Sequence, residues 1–144
     1  TDPPPPSVWV PMVRVDLALS IASERFFDGQ QAWADHVYRA NRALLEGRMY
    51  RSLLKLLSPA RVATGAGLVW GALHRGSKVS VQKLEAAKYE FTLRYPENGF
   101  GPEFIASSHE TLRASLEAAG AHNVRVVGEQ IDSSTLQWRA AWDG

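Results

Sequence analysis

The sequence contains no cysteine. That excludes disulfide staples, thiolate zinc sites and any nucleophilic or redox chemistry at sulfur. It also fits a cytoplasmic chain. Long apolar runs are missing as well. The longest, Gly65 to Leu73, is about half the ~18 residues a membrane span needs. No secretory signal pattern stands at the N-terminus. An excess of one charge is absent too: 16 Lys and Arg face 15 Asp and Glu, for a net charge of +1. Nothing global therefore calls for a nucleic-acid partner. With 144 residues, 45% of them hydrophobic, the chain is the size of one ordinary domain with a substantial core.

The familiar catalytic and metal signatures are also lacking. No Gly-x-Ser-x-Gly elbow occurs, and no P-loop. His36, His74, His109 and His122 share no metal-ligand spacing, and adjacent pairs such as Asp35–His36 point about 100° apart on a helix. No catalytic residue and no metal ligand is nominated, and no cofactor is required. The carboxylates Glu110 and Glu117 read as a solvated helix face.

What is present divides the chain in two. Residues 1–13 form a Pro-rich lead, with four consecutive prolines that favour polyproline II. The start at Thr1 rather than Met reads as a processed or excised piece. Residues 14–144 read as a single α+β domain.

The first part of that domain has helical periodicity. Asp16 is placed to cap a first helix whose inner face would hold Leu17, Ile21 and Phe26, and Asp28-Gly29 breaks it. A second helix is expected from Gln30 to Leu45, with Trp33, Val37, Ala40 and Leu44 on one stripe. A third is expected over Arg48 to Leu57. Ser58-Pro59 then restarts a fourth, from Pro59 to Leu73, with Ser at the N-cap and Pro at the first helical position.

After Gly76 the period changes from 3.6 to 2. Val79 and Val81 alternate with polar residues, as do Tyr89, Phe91, Leu93 and Tyr95. The pair reads as an antiparallel hairpin. Ser107 and Glu110 have the spacing of a capping box in the first turn of a helix ending at Ala119, before Gly120. Val124 to Ile131 and Leu136 to Trp142 supply two more strands. The predicted plan is N-terminal helices followed by ββαββ, with a four-stranded antiparallel sheet packed against helices.

Two constellations are candidates for binding. Gly67 and Gly71 make a small-residue groove on the fourth helix, and a glycine in a helix interior costs about 1 kcal/mol relative to Ala. With Trp33, Trp70, Phe91 and Trp138 they are nominated as a ligand pocket for a small apolar or aromatic molecule, since such sites are mostly apolar. The same groove is alternatively a face for a protein partner or a homodimer. The second constellation is basic. Between Arg39 and Arg61 there are six cations against one carboxylate, Glu46. Within this stretch Arg48, Arg51 and Lys55 share a helix face and form a patch for an anionic partner.

Several segments together resemble a known group. They are the Arg48-Met49-Tyr50-Arg51-Ser52-Leu53-Leu54 helix, the Leu56-Leu57-Ser58-Pro59 break, the Tyr89 to Tyr95 strand, and the Leu116 to Val126 helix-to-strand junction. The chain resembles a myxobacterial family that shares its plan with 4-vinyl reductase domains. That plan is also similar to the Bet3-type subunits of TRAPP complexes and the haem nitric-oxide-binding domains. The resemblance spans residues 14 to 142. It implies small-molecule sensing or protein assembly, with an apolar pocket at the helix–sheet interface, more than catalysis. No haem-ligand motif matches residue by residue. The resemblance therefore leads to a non-enzymatic sensory or interaction domain, with an assembly module or an enzyme of dispersed residues as alternatives.

Overall fold

The computed structural model describes residues 10–54 and 56–143. Five helices and four strands follow one another as α1 (Met12–Phe26), α2 (Gln30–Leu45), α3 (Arg48–Leu54), α4 (Pro59–Leu73), β1 (Lys78–Glu85), β2 (Lys88–Arg94), α5 (Pro102–Ala118), β3 (His122–Asp132) and β4 (Thr135–Asp143). The α+β plan of helices followed by ββαββ is the one the period change predicts.

The strands form one antiparallel sheet in the order β1-β2-β4-β3. Each hairpin pairs locally, and the two hairpins join where β2 meets β4. Strand alternation sends Tyr89, Phe91 and Leu93 of β2, and Leu136, Trp138 and Ala140 of β4, to the covered face. Phe91 pairs across the seam with Trp138, and Leu93 with Leu136. Phe91, Leu93 and Leu136 are at most 1% exposed, so this seam is the centre of the core. Truncating a side chain such as Phe91 to Ala there costs about 3–5 kcal/mol.

Local chemistry fixes several element ends. The Ser58 hydroxyl accepts from the Arg61 N–H at 3.3 Å, and Pro59 opens α4. The end of α5 is a Schellman turn: Gly120 has φ +96°, its N–H reaches the Glu117 carbonyl, and the Ala121 N–H reaches that of Leu116.

Other expectations need correction. Helix α1 begins at Met12, and Asp16 lies inside it. The Asp16 carboxylate accepts instead from the Gly101 N–H at 3.0 Å, at the start of α5. Ser20 donates to Glu103 at 3.1 Å in the same seam. Because α1 docks through these polar groups, Leu17, Ile21 and Phe26 face outward, at 60%, 44% and 76% exposure. In α2 the buried residue is Trp33, while Ala40 and Leu44 are exposed. Helix α3 stops at Leu54, short of Leu57. Ser107 is mid-helix, because α5 starts at Pro102, and its hydroxyl donates to the Glu103 carbonyl at 2.6 Å. No capping box forms there.

Candidate functional site: an apolar cavity between helices and sheet

Helix α4 rests on β1 and touches α5 only lightly. Its close approach to the strand is made by Gly67, where a Cβ would sit 2.8 Å from the Val79 carbonyl oxygen. Ala63, one turn earlier, is fully buried on the same side. On the side turned toward α5, Val62, Gly65, Ala66 and Val69 do not fill the gap. A cavity of about 520 Å³ results. Tyr50, Leu54 and Leu57 wall it on the α3 side, Phe104 and Leu112 on α5, and Val79, Phe91 and Trp138 on the sheet. That volume lies within the range usual for small-molecule sites, about 300–1,000 Å³.

An aromatic cluster closes one end. Trp70 stacks on His74 with ring centres 3.8 Å apart and planes 11° apart, and meets Phe104 edge-on at 6.0 Å. The Trp70 indole N–H donates to the Ser77 hydroxyl at 2.9 Å, which fixes the ring. Burial holds the His74 imidazole below its usual pKa, so it is neutral at pH 7. Its Nδ1 is buried without a well-aligned hydrogen bond, and a backbone contact with Trp70 opposes part of that lowering. Trp138 is 4% exposed and meets His109 edge-on at 6.2 Å, with its own indole N–H unpartnered.

The polar lining is sparse and mostly committed. Ser107, Ser108, Thr111 and Ser115 line the α5 wall. Each donates its hydroxyl hydrogen to a carbonyl of its own helix. Arg61, at the first turn of α4, is exposed and lines the cavity. It makes no ion pair among the described residues. A larger hollow of about 720 Å³ lies between the start of α1 and the end of α4. Its edge falls at Val10, the first described residue, and its lining is more polar.

Trp70, Phe91 and Trp138 therefore line one cavity. Gly67 does not, since its missing side chain is taken up by β1, and Gly71 does not line the cavity either. Trp33 is in the α2–α5 seam, where its indole N–H donates to the Glu103 carbonyl at 3.2 Å and the Ser107 hydroxyl at 3.1 Å. Residues that the periodicity did not nominate include Arg61, Gly65, His74 and the α5 hydroxyls. The hydroxyls carry a readable signal, because Ser107, Thr111 and Ser115 recur every four residues.

Arg48 and Arg51 are exposed on α3, without ion pairs among the described residues, and Lys55 lies outside those residues. The α2–α5 seam also corrects the reading of Glu110 and Glu117 as a solvated face. There the Tyr38 hydroxyl donates to Glu117, Arg113 lies 4.0 Å over the Tyr38 ring, and Arg113 pairs with Glu110 at 3.1 Å. Burial raises the Glu110 carboxyl pKa, with Arg113 opposing and Asp35 and Glu117 adding to the rise. Among the described residues no group of three His, Cys, Asp or Glu is placed to hold a metal ion. No helix among them is long and apolar enough to cross a membrane.

The fold is that of H-NOX domains. A point mutant of the T. tengcongensis H-NOX superposes with a TM-score of 0.67 at 10% identity, covering 97% of this chain and 78% of that one. An unliganded Fe(II) H-NOX mutant from K. algicida gives 0.61 at 8% identity, covering 96% and 76%. An H-NOX structure from work on heme distortion gives 0.66 at 11%, covering 97% and 76%. No curated protein matches the chain.

Among the described residues the lining of this cavity offers few donors to a haem. A haem iron takes an axial donor such as His, Cys, Met or Tyr, and His74 is the only imidazole lining the cavity. Its Nδ1 is buried out of reach of the open volume. The one other ring donor, the Tyr50 phenol, stands at the rim on α3, 37% exposed. On sequence, residues 5–143 match a family described as a protein of unknown function, and the chain belongs to that DUF2378 family.

Proposed function

We propose that this chain is a non-enzymatic sensory domain that binds a small apolar or aromatic molecule in the cavity between α3, α4, α5 and the sheet. The observation that carries the reading is the cavity itself, walled by Trp70, Phe91, Trp138 and aliphatic side chains. A ligand there acts by preferring one arrangement of the helices, and it shifts the population only by its differential affinity for the two states. Helix α3 is the natural element to move, because it is short and packs chiefly on α2. The fold shared with H-NOX domains is in keeping with the same class of activity.

Gly65 offers the test. It lines the cavity, and a Cβ there meets nothing within 4 Å. Gly65→Leu should fill the space while keeping the fold, since a helix prefers Leu to Gly by up to about 1 kcal/mol. Titration with naphthalene, followed by tryptophan emission, should saturate for the parent and fail for the variant. A parent that does not respond, or a variant that binds as well as the parent, overturns the cavity reading.

A second reading is assembly with another copy of this chain. It is supported by the outward side of α4, where Leu68 does not line the cavity and is 83% exposed. Sedimentation should then show a dimer that Leu68→Lys dissociates. A monomer for both chains removes this reading.

A further inference from the structure

We propose that the cavity's ligand is an amphipathic carboxylate, with its apolar body along α4 and the sheet and its head group on Arg61. This rests on the ligand-binding reading above and names the ligand class. Among the described residues Arg61 is the only Lys or Arg lining the cavity, and no Asp or Glu of theirs lines it. The guanidinium has no ion pair among the described residues. A guanidinium beside an apolar hollow offers a planar fork of donors that matches a carboxylate with two parallel hydrogen bonds.

The remaining lining places the head group at that end. The four α5 hydroxyls already donate to their own helix, at 2.6 to 2.9 Å, and the Trp70 N–H is committed to Ser77. An acceptor-only group such as a carboxylate finds no free donor along the α5 wall, and the unpartnered Trp138 indole N–H on the sheet is itself buried rather than open to solvent. Arg61 is such a free donor, and Tyr50 on α3 is a second, with no hydrogen-bond partner among the described residues. Away from Arg61 the wall is Val62, Val69, Val79, Phe91 and Trp138, which suits an alkyl or aryl body.

The experiment compares decanoate with 1-decanol by tryptophan emission on the parent, Arg61→Gln and Gly65→Leu, each shown to be folded by circular dichroism. The parent should bind decanoate at least about tenfold more tightly than decanol, the scale of one charge-assisted contact. Arg61→Gln should lose that preference and keep its affinity for decanol. Gly65→Leu should bind neither. Equal affinities in the parent, or a preference that survives Arg61→Gln, overturn the head-group assignment while the cavity reading stands. A parent that binds neither compound overturns both.

Discussion

The imidazole of His109 occupies the space that a side chain at position 128 would need. A Cβ on Gly128 would lie 1.9 Å from Nε2 and 2.5 Å from the neighbouring ring carbon. The ring has little freedom to retreat, because Trp138 stands edge-on to it across the sheet surface. Gly128→Ala should therefore destabilise the domain by about 1–3 kcal/mol, as overpacking does. The measurement is a lower urea midpoint with an unchanged slope. Adding His109→Ala should recover part of the loss, and strictly additive effects would show that the two sites do not share this space. None of this was legible in the sequence. Gly128 lies in a strand whose alternation is otherwise ordinary, and only the register that sets it opposite Trp138 exposes its role.

At the scale of elements, α5 shows how one helix is anchored by another. The Asp16 carboxylate of α1 accepts from the Gly101 N–H, and a Cβ on Gly101 would meet that carboxylate at 2.6 Å. Asp16→Ala should cost about 0.5–2 kcal/mol, the usual value of a lost N-terminal cap. Asp16→Asn keeps an acceptor and should lose only the charge contribution, about 0.3–1 kcal/mol. Thermal unfolding of the two variants beside the parent checks this, and equal losses would mean that the hydrogen bond contributes nothing. The ends of α2 and α4 were legible because Gly29, Ser58 and Pro59 act locally. The inner side of α1 was not. Periodicity selects the apolar row through Leu17 and Ile21, whereas the helix docks through Asp16 and Ser20.

For the whole molecule, two half-buried histidines set the direction of the pH response. Burial lowers the pKa of both His74 and His109. The unfolded chain therefore takes up protons on these residues at a higher pH than the native state does. Their effect on stability is nil well above the ordinary histidine pKa of about 6.5, and stability is lost as pH falls through that value. Glu110 acts with the opposite sign: its raised carboxyl pKa favours the native state at low pH, and that gain is lost as pH rises through its titration. The urea midpoint should thus drop from pH 7.5 to pH 5.5, and the drop should shrink in a His74→Gln, His109→Gln double variant. An identical drop in both chains assigns the response elsewhere.

The plan of helices followed by ββαββ was readable because the hydrophobic period changes once, near Gly76. The cavity was not, because it exists only where α4 leans on β1 through Gly67 and leaves α5. Trp70, Phe91 and Trp138 carried an aromatic signal visible in the sequence. Trp33 carried the same signal and lies elsewhere, in the α2–α5 seam.

The strand order has a consequence for the time course of folding. Both hairpins close between neighbours in the chain, but the seam between β2 and β4 joins Phe91 to Trp138 across an intervening helix and strand. Such distant pairings pay their loop entropy first and form slowly. During synthesis the floor of the cavity is missing until Trp138 has emerged from the ribosome and β4 has slotted between its neighbours. Under the proposed function, a nascent chain cannot be captured by a ligand in this cavity before the sheet is whole.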